Sequence, residues 1–148
     1  MTRLEQVADL LRSQSALALS TAPDGAPRST PLFYTVDDDL RLYWFSSASS
    51  EHSRTLRRNP EAAVAIYRPT DEWRKIQGVQ MRGVVSAVSD RERRRAVSAA
   101  YSERFGLGAF FKTAMARARL YVFEPTWIRY VDNTKRFGYR FEIRLPKP

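Results

Sequence analysis

The alternation of apolar and polar side chains divides the chain into short segments whose period changes several times. Thr2 and Glu5 form a capping box, and Leu4, Val7, Ala8 and Leu11 follow at i, i+3, i+4 and i+7. This predicts an amphipathic helix of about three turns with those four residues inward. Residues 17–22 read as a strand, and Pro23-Asp24-Gly25 as a hairpin turn. Residues 28–36 read as a second strand. Pro31 within it predicts an edge, a bulge, or a place where something other than a neighbouring strand meets the backbone. After the turn Asp37-Asp38-Asp39, Leu40, Leu42 and Trp44 share one face of a third strand, with Arg41, Tyr43 and Phe45 on the other.

The next stretch changes character. Ser46, Ser47, Ser49 and Ser50 lead into a short basic helix over residues 52–58, closed by Asn59-Pro60, which cannot extend it. A strand that delivers hydroxyls and a helix N-terminus to one point can bind an anion. Free backbone N–H groups and the positive end of the helix dipole both favour phosphate there. A serine N-cap on a solvated basic helix accounts for the same residues.

Beyond it, residues 61–67 (EAAVAIY) read as a compact buried strand. Its Ala63 and Ala65 face is small enough to receive a bulky neighbour. Residues 76–88 make a long strand with Val79, Met81, Val85 and Ala87 on one face and Gln80, Arg82 and Ser86 on the other. Gly78 and Gly83 predict a bend or bulge. Ser89 and Glu92 form a second capping box for a helix over residues 90–105, with Ala96, Val97, Ala100 and Tyr101 as its buried stripe. Arg91, Arg93, Arg94 and Arg95 fall mostly outside that stripe and read as a solvated face. A further short helix is expected over residues 109–117, and a strand over 119–132, broken at Pro125. Phe137, Tyr139, Phe141, Ile143 and Leu145 then alternate with polar residues or glycine as a last strand. These strands, joined mostly by turns and without a βαβ rhythm, predict a mainly β (α+β) fold: an antiparallel barrel with peripheral helices, in one domain over residues 1–148.

Composition narrows the chemistry. The 148 residues contain no cysteine and one histidine, His52. Disulfides, thiolate catalysis and cysteine-ligated metal are excluded, and a zinc site built from several His or Cys ligands is not expected. No G-x-S-x-G elbow accompanies the imidazole, and the carboxylates lie in turns or helix caps rather than in pairs suited to acid–base work. Gly106-Leu107-Gly108 is the only G-x-G, with Phe111 where a dinucleotide fingerprint has its third glycine. The first residues read as a helix rather than a leader peptide, and no apolar run reaches the ~18 residues of a membrane span, so a cytoplasmic protein is expected. The net charge of +9 attracts anions, but the arginines are dispersed and not interleaved with aromatic residues. That is not the footprint of specific nucleic-acid binding. A chain poor in reactive side chains yet equipped for an anion suits chemistry lent by a bound cofactor.

Residues 27–88 resemble the pyridoxamine 5′-phosphate oxidase-like, flavin-binding split-barrel proteins. The resemblance rests on P-R-S-T-P-L-F-Y (27–34), Y-W-F-S-S (43–47), S-E-H-S-R-T-L-R-R-N-P (50–60) and G-V-Q-M-R-G (78–83). A-Y-S-E-R-F (100–105) and D-N-T-K-R-F-G (132–138) are similar to a small bacterial subgroup. The resemblance implies a split barrel, a homodimer, and one FMN in each of two clefts at the subunit interface. The backbone of Arg28, Ser29, Thr30, Pro31 and Leu32 would lie along the flavin ring. Phe45, Ser46, Ser50, His52, Ser53 and Arg54 would hold the phosphate, and Gln80 would hydrogen-bond the ring edge. Trp127, Asn133 and Phe137 would reach the second subunit's flavin. Where the oxidases carry Arg-Lys after the serine, this chain has Glu51-His52, so Arg28, Arg54 or Arg57 would have to supply the positive charge. The function implied is a flavin-dependent oxidoreductase acting on a small substrate with no catalytic side chain. The same barrel holding a deazaflavin (F420) or haem, or a non-catalytic basic module for nucleic acid or a protein partner, are the alternatives.

Overall fold

The computed structural model describes residues 1–148, the side chains of Phe110 and Phe111 excepted. In chain order the elements are α1 (Arg3–Ser13), β1 (Ala16–Thr21), β2 (Arg28–Phe33), β3 (Thr35–Val36), β4 (Leu42–Ser46) and α2 (Glu51–Arg58), followed by β5 (Glu61–Tyr67), β6 (Gln77–Ala87), α3 (Arg91–Phe105), α4 (Ala109–Arg117), β7 (Arg119–Asp132) and β8 (Arg140–Arg144). The strands form one antiparallel sheet in the order β2-β1-β5-β6-β7-β4-β3, with β8 also on β7. The expected antiparallel split barrel with peripheral helices is the fold observed.

The long strand β7 explains how the sheet closes. Along one edge it pairs with β6 from end to end. Its other edge serves two partners in succession: residues 119–123 face β4 and residues 127–131 face β8. Between the two halves lies a bulge, where Gly83 pairs with Pro125 and Arg82 with Trp127, leaving Thr126 unopposed. A side chain at Gly83 would run into the Glu124 carbonyl and the Phe123 ring, so only glycine permits this close approach. Pro125 therefore does not break the strand, as the sequence suggested. It sits at the bulge, where no ladder N–H is required.

The inner face of the curled sheet is filled by Leu19, Leu42, Trp44, Val64, Met81, Phe123 and Ile128 together with Val7, Leu10 and Leu11 of α1. The α1 capping box forms as predicted. Its buried stripe is Val7, Leu10 and Leu11, whereas Leu4 is exposed. The predicted strand over residues 28–36 is two strands, because the chain changes partners at Tyr34: β2 pairs with β1 and β3 with β4. Tyr34 is buried at the change and donates its hydroxyl to the Leu11 carbonyl at 2.5 Å. Leu40 is also buried, but it precedes its strand in the left-handed conformation (φ 62°).

On the outside, the two halves of the sheet differ. Behind β4 and β7, Tyr43, Leu120 and Val122 pack with Val97 of α3. Helix α3 starts from Asp90, whose side chain accepts the Glu92 N–H, so Asp90 rather than Ser89 is the cap. Ala96 and Ala100 are exposed, and of the expected stripe only Tyr101 is fully buried. The arginine run is not one solvated face either. Arg93 donates to the Tyr43 hydroxyl through Nε (2.9 Å) and Nη2 (2.6 Å), and Arg94 donates to the Met115 and Ala118 carbonyls. The predicted last strand is shorter than expected, with Phe137 in the preceding turn and 77% exposed. No helix among the described residues is long and apolar enough to cross a membrane.

Candidate functional site

The hydroxyl-rich entry to α2 folds from local rules. Ser50 adopts the extended cap conformation and its side chain accepts the Ser53 N–H, which fixes where the helix begins. The helix starts at Glu51, one residue before the predicted boundary. Ser46, the last residue of β4, then lies with its Oγ 2.8 Å from His52 Nε2. Ser50 Oγ is 3.3 Å from the same nitrogen, 2.7 Å from Ser53 Oγ and 2.9 Å from the Ser47 carbonyl. Ser53 is completely buried beneath them. The N–H groups of Glu51 and His52, in the first turn, have no intrahelical acceptor and remain available to an anion.

Charge at this mouth is balanced by a pair 23 residues apart in sequence. Arg28, at the start of β2, binds Glu51 through Nε–Oε1 at 2.8 Å, with both side chains about half exposed. The Glu51 carboxylate at the helix start is thus neutralised by the Arg28 guanidinium. Burial lowers the pKa of His52, opposed by the nearby Glu51 charge, so the imidazole is neutral near pH 7. Arg54 is exposed one turn along α2, on a cleft of about 490 Å³ shared with Pro23, Asp24, Thr55 and Arg58.

The strand β2 is one edge of the sheet. Ser29 and Pro31 are exposed along it, while Thr30 and Leu32 turn partly inward. Because Pro31 lacks an N–H, this edge cannot carry a full ladder to another strand. Beside it, the outer faces of β1 and β5 present Ala18, Ser20, Ala63 and Ala65, in register with Pro31 and Ser29. The result is a strip of small side chains across the three strands.

The remaining predicted residues lie apart from the mouth. Phe45 adjoins Ser46, but its ring packs edge-on against Tyr101 at 5.2 Å, under Arg94. Gln80 points outward from β6, three strands and about 14 Å from β2. Trp127 lies on β7 beneath the Arg82 guanidinium, 4.5 Å from its ring centre. Asn133 and Phe137 are at the other end of the sheet. Asn133 donates to the Trp73 carbonyl and accepts the Gly138 N–H, and Phe137 packs edge-on against Trp73. The chain thus brings Arg28, Ser46, Ser50, His52 and Ser53 together and leaves Gln80, Trp127, Asn133 and Phe137 outside that group.

Sequence reasoning missed two features. One is Glu51 as the partner of Arg28, a long-range pairing with no local signature. The other is the Asp132 cluster beside Asn133. Its carboxylate accepts from Thr134 N (2.9 Å) and Oγ1 (2.5 Å), Gln77 Nε2 (3.1 Å) and the Tyr130 hydroxyl (3.1 Å). The D-x-T spacing, an Asx-type turn signal, could have pointed to part of it.

Fold and mouth together define a split β-barrel with a serine-capped helix start beside a proline-bearing sheet edge. The family model for pyridoxamine 5′-phosphate oxidase matches residues 4–132, and the chain belongs to that family. Among solved structures it is similar to the conserved hypothetical protein Rv2991 of Mycobacterium tuberculosis, with 25% identity, a TM-score of 0.79, and coverage of 91% of this chain and 87% of that one. A haem-binding protein of Mycobacterium smegmatis superposes with a TM-score of 0.79 at 21% identity, over 97% of this chain and 58% of the other. An FAD-binding protein of Mesorhizobium loti gives a TM-score of 0.68 at 20% identity, over 86% of this chain and 90% of its own.

Proposed function

We propose that residues 1–148 act as one flavin-binding unit, a cytoplasmic homodimer holding FMN at its interface and working as an oxidoreductase on a small substrate. The observation that carries this reading is the α2 mouth: two serine hydroxyls, an imidazole and two free backbone N–H groups converge beside an exposed strand edge. A phosphate dianion fits that donor set, and a flat ring fits the strip of small side chains next to β2. When bound, the flavin would supply hydride transfer through its N5.

In this reading Ser46, Ser50, His52 and the first-turn N–H groups receive the phosphate, with Ser53 bracing Ser50 from below. Arg28 and Arg54 supply positive charge. The backbone of residues 28–32 lies along the ring. Gln80 hydrogen-bonds the ring edge, and Trp127, Asn133 and Phe137, remote from this chain's own mouth, serve the site of the second copy.

Titrating the purified protein with FMN tests the proposal through the visible spectrum and bound fluorescence. Saturable uptake is expected, weakened in Ser50→Ala or Arg54→Ala by on the order of 1–3 kcal/mol. Unchanged affinity in both variants would overturn the placement of the phosphate. A second reading, haem in the same barrel, draws on the haem-binding neighbour and on His52 as a ligand. Against it, His52 Nε2 is already engaged by Ser46 at 2.8 Å. A haem Soret shift that disappears in His52→Ala would favour haem, and the mass of any co-purifying cofactor separates FMN from F420.

A further inference from the structure

Helices α3 and α4 line a groove of about 690 Å³ that shares no residue with the α2 mouth. On α3 its wall is Arg91, Arg94, Arg95, Ser98, Ala99 and Ser102; Lys112, Met115 and Ala116 line it from α4. The α3 positions fall at i, i+3, i+4, i+7, i+8 and i+11, so they form one continuous stripe. No carboxylate lines the groove among the described residues. Glu92 and Glu103 of the same helix each follow a stripe residue, which turns them about 100° away.

The four cations are not equivalent. Arg94 is committed to the Met115 and Ala118 carbonyls, where it ties the end of α4 to α3. Arg91, Arg95 and Lys112 form no ion pair with any described residue. The hydroxyls of Ser98 and Ser102 likewise make no hydrogen bond to a described residue. Three unpaired cations and two free hydroxyls therefore surround one concavity with an apolar strip of Ala99, Met115 and Ala116. Bringing like charges together in one groove is unfavourable unless an anion occupies it.

We propose that this groove is a binding site for a small organic oligophosphate, whose phosphate chain is held by Arg91, Arg95 and Lys112 with the Ser98 and Ser102 hydroxyls, and whose organic part lies on Ala99 and Ala116. The volume suits a small ligand. Guanidinium and ammonium groups without carboxylates, together with hydroxyl donors, match phosphate oxygens.

Calorimetry with inorganic tripolyphosphate, and with ATP as the organic form, tests this. With the α2 mouth saturated by FMN, one saturable site per chain is expected, with ATP at least as tight as tripolyphosphate. Arg91→Gln/Arg95→Gln/Lys112→Gln should weaken tripolyphosphate about a hundredfold, and the salt dependence should flatten. An equal-charge control, Arg74→Gln/Arg136→Gln/Arg140→Gln, should stay within about twofold of the parent. Should the triple groove variant unfold, Lys112→Glu alone must show the loss. Equal weakening in both triple variants, absence of saturation, or an oligothymidylate binding this groove more tightly than tripolyphosphate would each overturn the proposal.

Discussion

Two polar clusters stand at opposite ends of one sheet, and they use their hydrogen bonds differently. At the β7–β8 turn, both oxygens of Asp132 accept from two donors each, so the four donors fill the carboxylate's capacity. The residue is 2% exposed. At the start of α2, the serines and His52 satisfy one another only in part, two backbone N–H groups are left over, and the balancing Arg28–Glu51 pair is half exposed. The first arrangement has no capacity for a ligand and holds the fold together. The second keeps donors facing solvent. Polar residues at similar sheet-end positions are thus fully satisfied by the fold in one case and only partly satisfied in the other, and unfilled valence separates the two.

That contrast can be broken most directly at Asp132. Asp132→Ala leaves Gln77, Tyr130 and Thr134 without their acceptor and should cost about 3 kcal/mol in urea unfolding. A loss below about 1 kcal/mol would remove the architectural role. The same carboxylate should shape acid stability. Burial alone would raise its pKa, but the hydrogen bonds from Thr134, Gln77 and Tyr130 outweigh burial and hold it below the usual carboxylate range. The stabilisation it provides is therefore complete above the ordinary carboxylate pKa and fades as pH falls through its lower folded value. Unfolding of Asp132→Asn should show a flatter acid limb than the parent.

At the mouth, smaller and opposite effects on binding are expected. Glu51→Gln frees Arg28 and should tighten FMN about tenfold, whereas Arg28→Ala should loosen it by a similar factor, each near 1.4 kcal/mol. Both should change unfolding free energy by less than about 1 kcal/mol, because the pair is half exposed. Equal signs in the two titrations would mean that the pair does not govern the phosphate. The smallest effect concerns His52. Its pKa is lowered by burial in the free protein, and a phosphate alongside would favour the protonated form. Relative to His52→Asn, the parent should gain about threefold in FMN affinity as pH falls from about 8 to 5.5. Identical pH profiles would show that the imidazole does not meet the phosphate.

What the sequence revealed follows from how local each feature is. The strand β5 was legible to the residue and β6 to within one at each end, because period-two alternation is set by neighbours in the chain. The α1 and α2 starts were legible for the same reason, since a serine or threonine cap acts within three residues. The division of residues 28–36 was not, because it depends on which strand lies beside each half, and Tyr34 at the change reaches a helix carbonyl 23 positions away. The buried stripe of α3 failed because that helix rests on the sheet through few residues, so Ala96 and Ala100 have nothing to cover them. Within the site, the hydroxyl cluster was readable from spacing, while the Arg28–Glu51 pair required the tertiary fold.

The branching of β7 has a consequence for how the molecule is assembled. Both β4 and β6 must wait for residues 119–132 before either finds its neighbour on that side, and β8 can only be added afterwards. Ribosome-bound or proteolysed forms lacking that strand would carry two bare ladder edges and an open hydrophobic interior, the state most exposed to self-association. The protein's vulnerable interval is therefore the time before its central staple arrives.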